Sequence, residues 1–343
     1  MIKRSFLGVL AISLMVAITG CGGSDQPTAT SGTSGTSAPS TEFTFKLGHL
    51  QGGDHPYQKG AEKFKDLVEQ NSNGRIKVDI FPSSQLGNGR DQIEGLQMGS
   101  IQLHVGSVAP VANFAPKMNV LSMPYLFDSR EHAVKVLDGE IGAELSKDLE
   151  SKGIVNLAFW ENGYRHMTNN TRPIKSANDA AGLKVRVQES PVYISMIKAL
   201  GSTPTPIPFG ELYTAMEQKV VDSQENPLAQ IATNKFNEVQ KHLTLTAHTY
   251  DAAVFLMSKM ALDKLPADLQ QVVKDAAMEA GAYEREVSKE SESKFLQQLK
   301  DSGMAVEEKP DLDSFRQAVV PVYEELQDQY GGKELIDRIK NMK

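Results

Sequence analysis

In "GLKVRVQ" (182–188), Leu183, Val185 and Val187 alternate with Lys184, Arg186 and Gln188, the two-residue period of a strand with one apolar face. Arg186 is the residue there with chemistry to offer. A guanidinium fixed between two valines is a cation waiting for an anionic ligand; the same alternation also describes a half-exposed strand whose polar face meets water. Spacing alone leaves both readings open. Other chemistry is sparse. The seven histidines, at 49, 55, 104, 132, 166, 242 and 248, show no paired ligand spacing, so no metal site is expected. No G-x-G-x-x-G follows an expected strand, and no P-loop lysine, G-x-S-x-G or H-E-x-x-H occurs. Acidic residues are plentiful, but none stands out as an acid/base dyad. No cofactor is expected and no nucleophile is nominated.

The elements that would hold Arg186 belong to an α/β chain. "FTFKLGHL", a helix over about 57–71 with Ala61, Phe64, Leu67 and Val68 on one side, "RIKVDIFP", "RDQIEGLQMG" and "IQLHVGS" read β-α-β-α-β, a mainly parallel sheet covered by helices. In such sheets ligands sit beyond the carboxyl ends of strands, which makes "GGD" (52–54) and "GSVAP" (106–110) ligand loops. A helix near 130–151 and the strand "IVNLAFW" lead to a first crossing at "ENGYRHMTN". Beyond it lie the arginine strand, a helix over about 192–200, "STPTPIPFGE", the helix "ELYTAMEQK" and "VVDSQENP". "HLTLTAHTY" and "DAAVFLMS" read as a strand pair that makes the return crossing. From Pro266 to Gly303 the chain has a helix start, a helix stop and no internal proline. At about 1.5 Å per residue such a helix exceeds the width of a small lobe, so it should cross both lobes, with Gly281 as its weak point. Sustained heptads for a coiled-coil seam are missing from "EREVSKESESK".

The N-terminus is of another kind. Lys3 and Arg4, an apolar run from Phe6 to Ile18 too short to span a bilayer comfortably, and "ITGC" resemble a bacterial lipoprotein signal (1–20), in which Cys21 is lipidated and becomes the mature terminus. Residues 22–42 carry almost no large apolar side chains and should form a disordered tether. With Cys21 lipidated no cysteine remains for a disulfide, thiolate or metal site. About 300 residues follow, comfortable for two lobes. The formal charge is −7, and −9 without Lys3 and Arg4, which argues against nucleic acid. A cationic pocket must then be built by particular arginines against the field of the whole chain.

Three stretches in order, "NGYRHMTNNTRPI" (162–174), "GLKVRV" (182–187) and "TPTPIPFGELYTAMEQKVVDSQENP" (203–227), closely resemble the solute-binding proteins of tripartite ATP-independent periplasmic (TRAP) transporters. The likeness continues through "KFNEVQKHLTLTAH" and "FPSSQLGNGR" and covers the chain from Phe43 onward. The resemblance implies a non-enzymatic, two-lobe periplasmic-binding-protein-like fold that closes on an organic acid by hinge motion. Its lobes would be 43–163 with 252–291, and 164–251 with 292–343. It places Arg186 on the ligand carboxylate, Arg165 at the same end, Asn226 as a hydrogen-bond partner of that carboxylate and Phe209 against the ligand. A planar guanidinium fits the carboxylate role because it offers two parallel donors. Structural readings stand beside these: an Arg165 ion pair with Glu161 or Glu189, a turn at Asn226–Pro227, and a core Phe209. Where sialic-acid-binding members carry acidic residues, this chain has Gly89 and Ser107; "GHLQGGDHPY" looks more like members that take uronates, with His49, Gln51 and His55 as hydroxyl partners. The expected protein is a monomeric, lipid-anchored receptor outside the cytoplasm, passing a sugar acid to TRAP permease subunits in the membrane. A C4-dicarboxylate is the alternative ligand. An exported enzyme acting on the same acids and a structural lipoprotein are the alternative classes.

Overall fold

The computed structural model describes residues 41–342; the expected leader, Cys21 and the tether to residue 40 lie outside the described residues. The chain opens with β1 (Phe43–His49), α1 (Pro56–Asn71), β2 (Ile76–Phe81), α2 (Gly89–Met98) and β3 (Leu103–Ser107), the expected alternation. β1 pairs in parallel with both β2 and β3. His55 caps α1, its ring Nδ1 accepting from the Tyr57 amide, and Pro56 fills the first turn, where a missing N–H leaves nothing unpaired. α2 begins at an Asn88–Asp91 capping box and ends at Gly99 with φ 73°. The apolar face of α1, with Ala61, Phe64 and Val68, packs on Phe45, Leu47, Val78 and Val105 of the sheet.

Two long strands, β4 (Ile154–Asn169) and β8 (His242–Ser258), run antiparallel through the middle of one nine-stranded sheet. With β5 (Lys184–Val187), β6 (Thr203–Pro206) and β7 (Ser223–Pro227), the order is β2-β1-β3-β8-β4-β7-β5-β6, and β9 (Ala305–Glu307) lies beside β8. The two strands expected in 242–258 are therefore one. Asp251, the polar residue that resembles a break, is buried and bonded to Arg165 and Asn162, so the ladder passes through it. The single helix expected over 130–151 is two, Arg130–Leu137 and Glu140–Glu150, joined through Asp138 and Gly139. Midway along the central pair the register slips between Glu161 and Gly163, where Gly163 takes φ 109°, a value that favours glycine.

The helix Ala267–Asp301 is continuous over 35 residues. Its first half adds Leu269, Val273, Ala276 and Ala280 to the core around α1, and its last turns place Leu299 in a separate core with Leu212, Ile231 and Phe236. It thus contacts both parts of the molecule. The C-terminal helices over 312–341 also touch more than one region: Tyr323 donates to the Pro124 carbonyl, and Ser195 to Glu325.

Candidate functional site

β5 lies inside the sheet, parallel to β6 on one side and β7 on the other. Leu183, Val185 and Val187 enter the core, as their alternation requires. On the opposite face Lys184 is exposed, but the two residues beyond it are buried. Arg186 is 2% exposed, which removes the half-exposed-strand reading at that residue, and Gln188 is buried beside it. Arg186 Nε donates to the Ile207 carbonyl at 2.9 Å, while Nη1 is buried with no partner. The guanidinium sits over the Phe209 ring, 5.9 Å from its centroid. Burial lowers its pKa to about 10, with Glu225 pulling the other way, so it is charged at neutral pH. Among the described residues no carboxylate forms an ion pair with it, and a charge withdrawn from water unpaired carries a penalty of several kcal/mol. The geometry is that of a cation lacking its anion.

Arg165, on β4, is fully buried and its partners are neither Glu161 nor Glu189. Nε and Nη2 hold the two oxygens of Glu225, Nη1 donates to Asp251 at 2.6 Å, and Nη2 reaches Asn226 Oδ1 at 3.0 Å. Glu161 bonds Arg130 instead. Burial raises the Glu225 pKa, but Arg165 and a 3.1 Å contact with His248 outweigh it, and the carboxyl titrates below its ordinary range. Two carboxylates surround one guanidinium, so Arg165 has no charge left for a second anion. It fixes Asn226, whose amide nitrogen donates to Gln224 at 2.5 Å.

These side chains meet at one cavity, a narrow one with about 40 Å³ of free interior. Of the residues expected from the sequence, Gln51, Arg165, Phe209 and Asn226 line it, and Arg186 lines its continuation with Gln188, Ile207 and Phe209. His49 and His55 stand behind the wall: His49 Nε2 bonds Gln58 at 2.9 Å, and His55 caps α1. Gly89 and Ser107 are both on the wall. The sequence reading missed Tyr57, His104, Asn162 and Gln188. Gln188 was within reach of it, two residues beyond Arg186 on the same face. The others depend on remote partners. Ser107 and Asn162 both donate to Asp251, at 2.7 and 2.6 Å, and Asn162 accepts from the Tyr57 hydroxyl at 2.7 Å. Among the described residues no group of three or more His, Cys, Asp or Glu could hold a metal ion.

Residues 47–329 match the bacterial extracellular solute-binding proteins, family 7 (DctP). The chain belongs to this family. A TRAP periplasmic solute binding protein from Polaromonas sp. JS666, solved bound to D-erythronate, is similar at 44% identity with a TM-score of 0.86, over 88% of this chain and 99% of that one. The sugar acid binding protein of Advenella mimigardefordensis strain DPN7T, solved with galactonate, gives 36% identity and a TM-score of 0.85 over 88% and 98%. The 2,3-diketo-L-gulonate-binding periplasmic protein YiaO of Escherichia coli strain K12 is 39% identical over 259 residues, 76% of this chain and 79% of that protein. The fold is accordingly the α/β periplasmic-binding-protein fold, and this family-7 chain is an extracytoplasmic solute-binding receptor of the TRAP type, not an enzyme.

Proposed function

We propose that this receptor captures a hydroxylated monocarboxylate, a sugar acid of the uronate or aldonate kind, and passes it to the permease subunits of a TRAP transporter. The buried Arg186 guanidinium carries the reading: Nη1 is unpaired and the residue lines the cleft. In this reading the ligand carboxylate takes that donor edge, joined by the amide nitrogens of Asn226 and Gln188, of which Gln188 Nε2 is also buried without a partner. Phe209 packs against both guanidinium and ligand. Arg165 acts through Asn226, because its own donors are already committed.

Charge counting favours a single carboxylate over a C4-dicarboxylate. Among the described residues around the cavity, Arg186 is the cation without a carboxylate partner, whereas Arg165 is shared between Glu225 and Asp251. A second ligand carboxylate would meet Asp251, buried just behind Ser107 and Asn162. The relatives solved with D-erythronate and with galactonate bind acids of the favoured class. Lipidation at Cys21 would hold the mature monomer at the membrane, and closure would bend the central strands where Gly163 pairs with Asp251. Calorimetry with D-galactonate, D-glucuronate, D-erythronate and succinate tests the ligand class. At least one hydroxy acid should bind more tightly than succinate; the opposite order would replace this reading with the dicarboxylate one.

A further inference from the structure

His104 is a cavity-wall residue that neither the sequence reading nor the proposed carboxylate grip uses. It lies on β3, opposite Gly48 of β1, with its ring buried at 2% exposure. Its Nδ1 is 2.8 Å from Gln92 Oε1. The other end of that amide, Nε2, donates to the Gly87 carbonyl at 2.9 Å, and a carbonyl can only accept. The orientation of Gln92 is therefore fixed by chemistry, and its oxygen must face the imidazole. An amide oxygen accepts, so Nδ1 carries the ring proton. Burial keeps the ring neutral, with a pKa near 3. A neutral imidazole with a proton on Nδ1 has a bare lone pair on Nε2. Besides Gln92 the ring meets the Gly48 backbone, and among the described residues no side chain is hydrogen-bonded to Nε2. It sits beside Gly106, another wall residue, only 2.5 Å from where a Cβ at that position would stand. Glycine at 106 leaves that edge of the ring uncovered.

We infer that His104 Nε2 accepts a hydrogen bond from a hydroxyl of the bound acid, making His104 a specificity-determining residue locked into one tautomer by Gln92. The inference rests on the hydroxylated-monocarboxylate reading and deepens it. The rest of the wall offers the complementary valences. Gln51 accepts from Asn234 at 3.0 Å through its oxygen, which leaves its amide nitrogen to donate. Arg186 Nη1 and Gln188 Nε2 are free donors. Arg186 and Gln188 thus offer donors to the carboxylate, and along the rest of the wall Gln51 offers a donor and the His104 lone pair an acceptor. A hydroxyl satisfies that acceptor, whereas a second carboxylate would oppose its lone pair with another.

The test uses the mature protein, calorimetry with D-galactonate, D-glucuronate and D-erythronate, and ¹⁵N spectroscopy of labelled histidine. His104→Leu should weaken the tightest of these acids about tenfold or more, the loss expected when one buried hydrogen bond goes. His104→Gln, which keeps an acceptor, should restore part of it. In the parent protein the His104 signals should show protonated Nδ1 and bare Nε2, with the Nε2 resonance moving on saturation with the same acid. That spectrum keeps the idea testable even if His104→Leu folds poorly. Affinity of folded His104→Leu within about twofold of the parent, or a proton found on Nε2 in the free protein, would overturn the inference while leaving the hydroxy-acid reading intact. A parent protein that binds succinate and none of the three hydroxy acids would instead overturn the reading on which it rests.

Discussion

At the scale of single residues the site is defined by which polar groups are already committed. The family resemblance puts Arg186 and Arg165 at the same end of the ligand. In the fold one is saturated by Glu225, Asp251 and Asn226, and the other has a buried, unpaired Nη1. Arg186→Lys should therefore fold normally and bind its acid about tenfold more weakly or worse, since the charge survives but a directed, charge-assisted bond of about 1.5–3 kcal/mol does not. Calorimetry that finds unchanged affinity would remove Arg186 from the site. Glu284, on the long helix, is a different case. Its carboxyl accepts from the Glu161 amide and from Ser288, and burial, reinforced by the Glu161 carboxylate, raises its pKa to about 8 from 4.5. The folded form holds this proton more tightly than the unfolded chain. Its contribution to stability is complete below about pH 4.5 and lost as pH rises through about 8. Glu284→Gln has no proton to lose, so the decline in Tm between pH 5 and 8 should flatten in thermal melts; a variant with the parent's slope would contradict the assignment. Residue roles of this kind were only partly legible beforehand. Arg186 and Gln188 share a strand face that alternation reveals. By contrast His49, His55 and His104 differ only through Gln58, the Tyr57 amide and Gln92, and the sequence does not show that His104 alone reaches the cavity wall.

At the scale of elements, periodicity and caps made the β1-α1-β2-α2-β3 start readable, because each element carries its own signal. The errors lie where a tertiary contact overrides a local one. Asp251 looks like the end of a strand until Arg165 and Asn162 are seen to pair with it inside β8. Gly281 was expected to be the weak point of the long helix. The structure gives it a packing role: a Cβ there would stand 2.7 Å from Cδ1 and Nε1 of Trp160, which is itself buried, stacked on Phe255 at 4.8 Å and bonded to the Ala277 carbonyl. Glycine to alanine inside a helix ordinarily stabilises by up to about 1 kcal/mol. Here the indole has no room to retreat, and overpacking costs about 1–3 kcal/mol. Gly281→Ala should therefore lower the urea midpoint; a midpoint equal to or above the parent's would mean that the helix shifts freely over Trp160.

At the scale of the whole molecule, β4, β8 and the long helix are the elements shared between the two parts, and the proposed closure must act through them. A ligand moves a conformational equilibrium only by binding one state better than the other. A carboxylate held by Arg186 and Asn226 while His104 and Gln51 meet the far end would do so. Small-angle scattering should then show a smaller radius of gyration with a tight ligand than without; identical curves at calorimetrically confirmed saturation would exclude hinge closure. Anchoring is a separate question. Cys21→Ser should abolish labelling by radioactive palmitate, and a variant labelled like the parent would exclude lipidation at that residue. In the proposed site one unpaired guanidinium answers one carboxylate, and neutral groups meet the remainder of the ligand. Competition calorimetry with D-galactonate and galactarate tests it most directly, because the two share a carbon chain and differ at C6, hydroxymethyl in one and carboxylate in the other. Galactonate should bind about tenfold more tightly or better, about 1.4 kcal/mol; equal or tighter binding of galactarate would mean that the site holds a second carboxylate as well as the first.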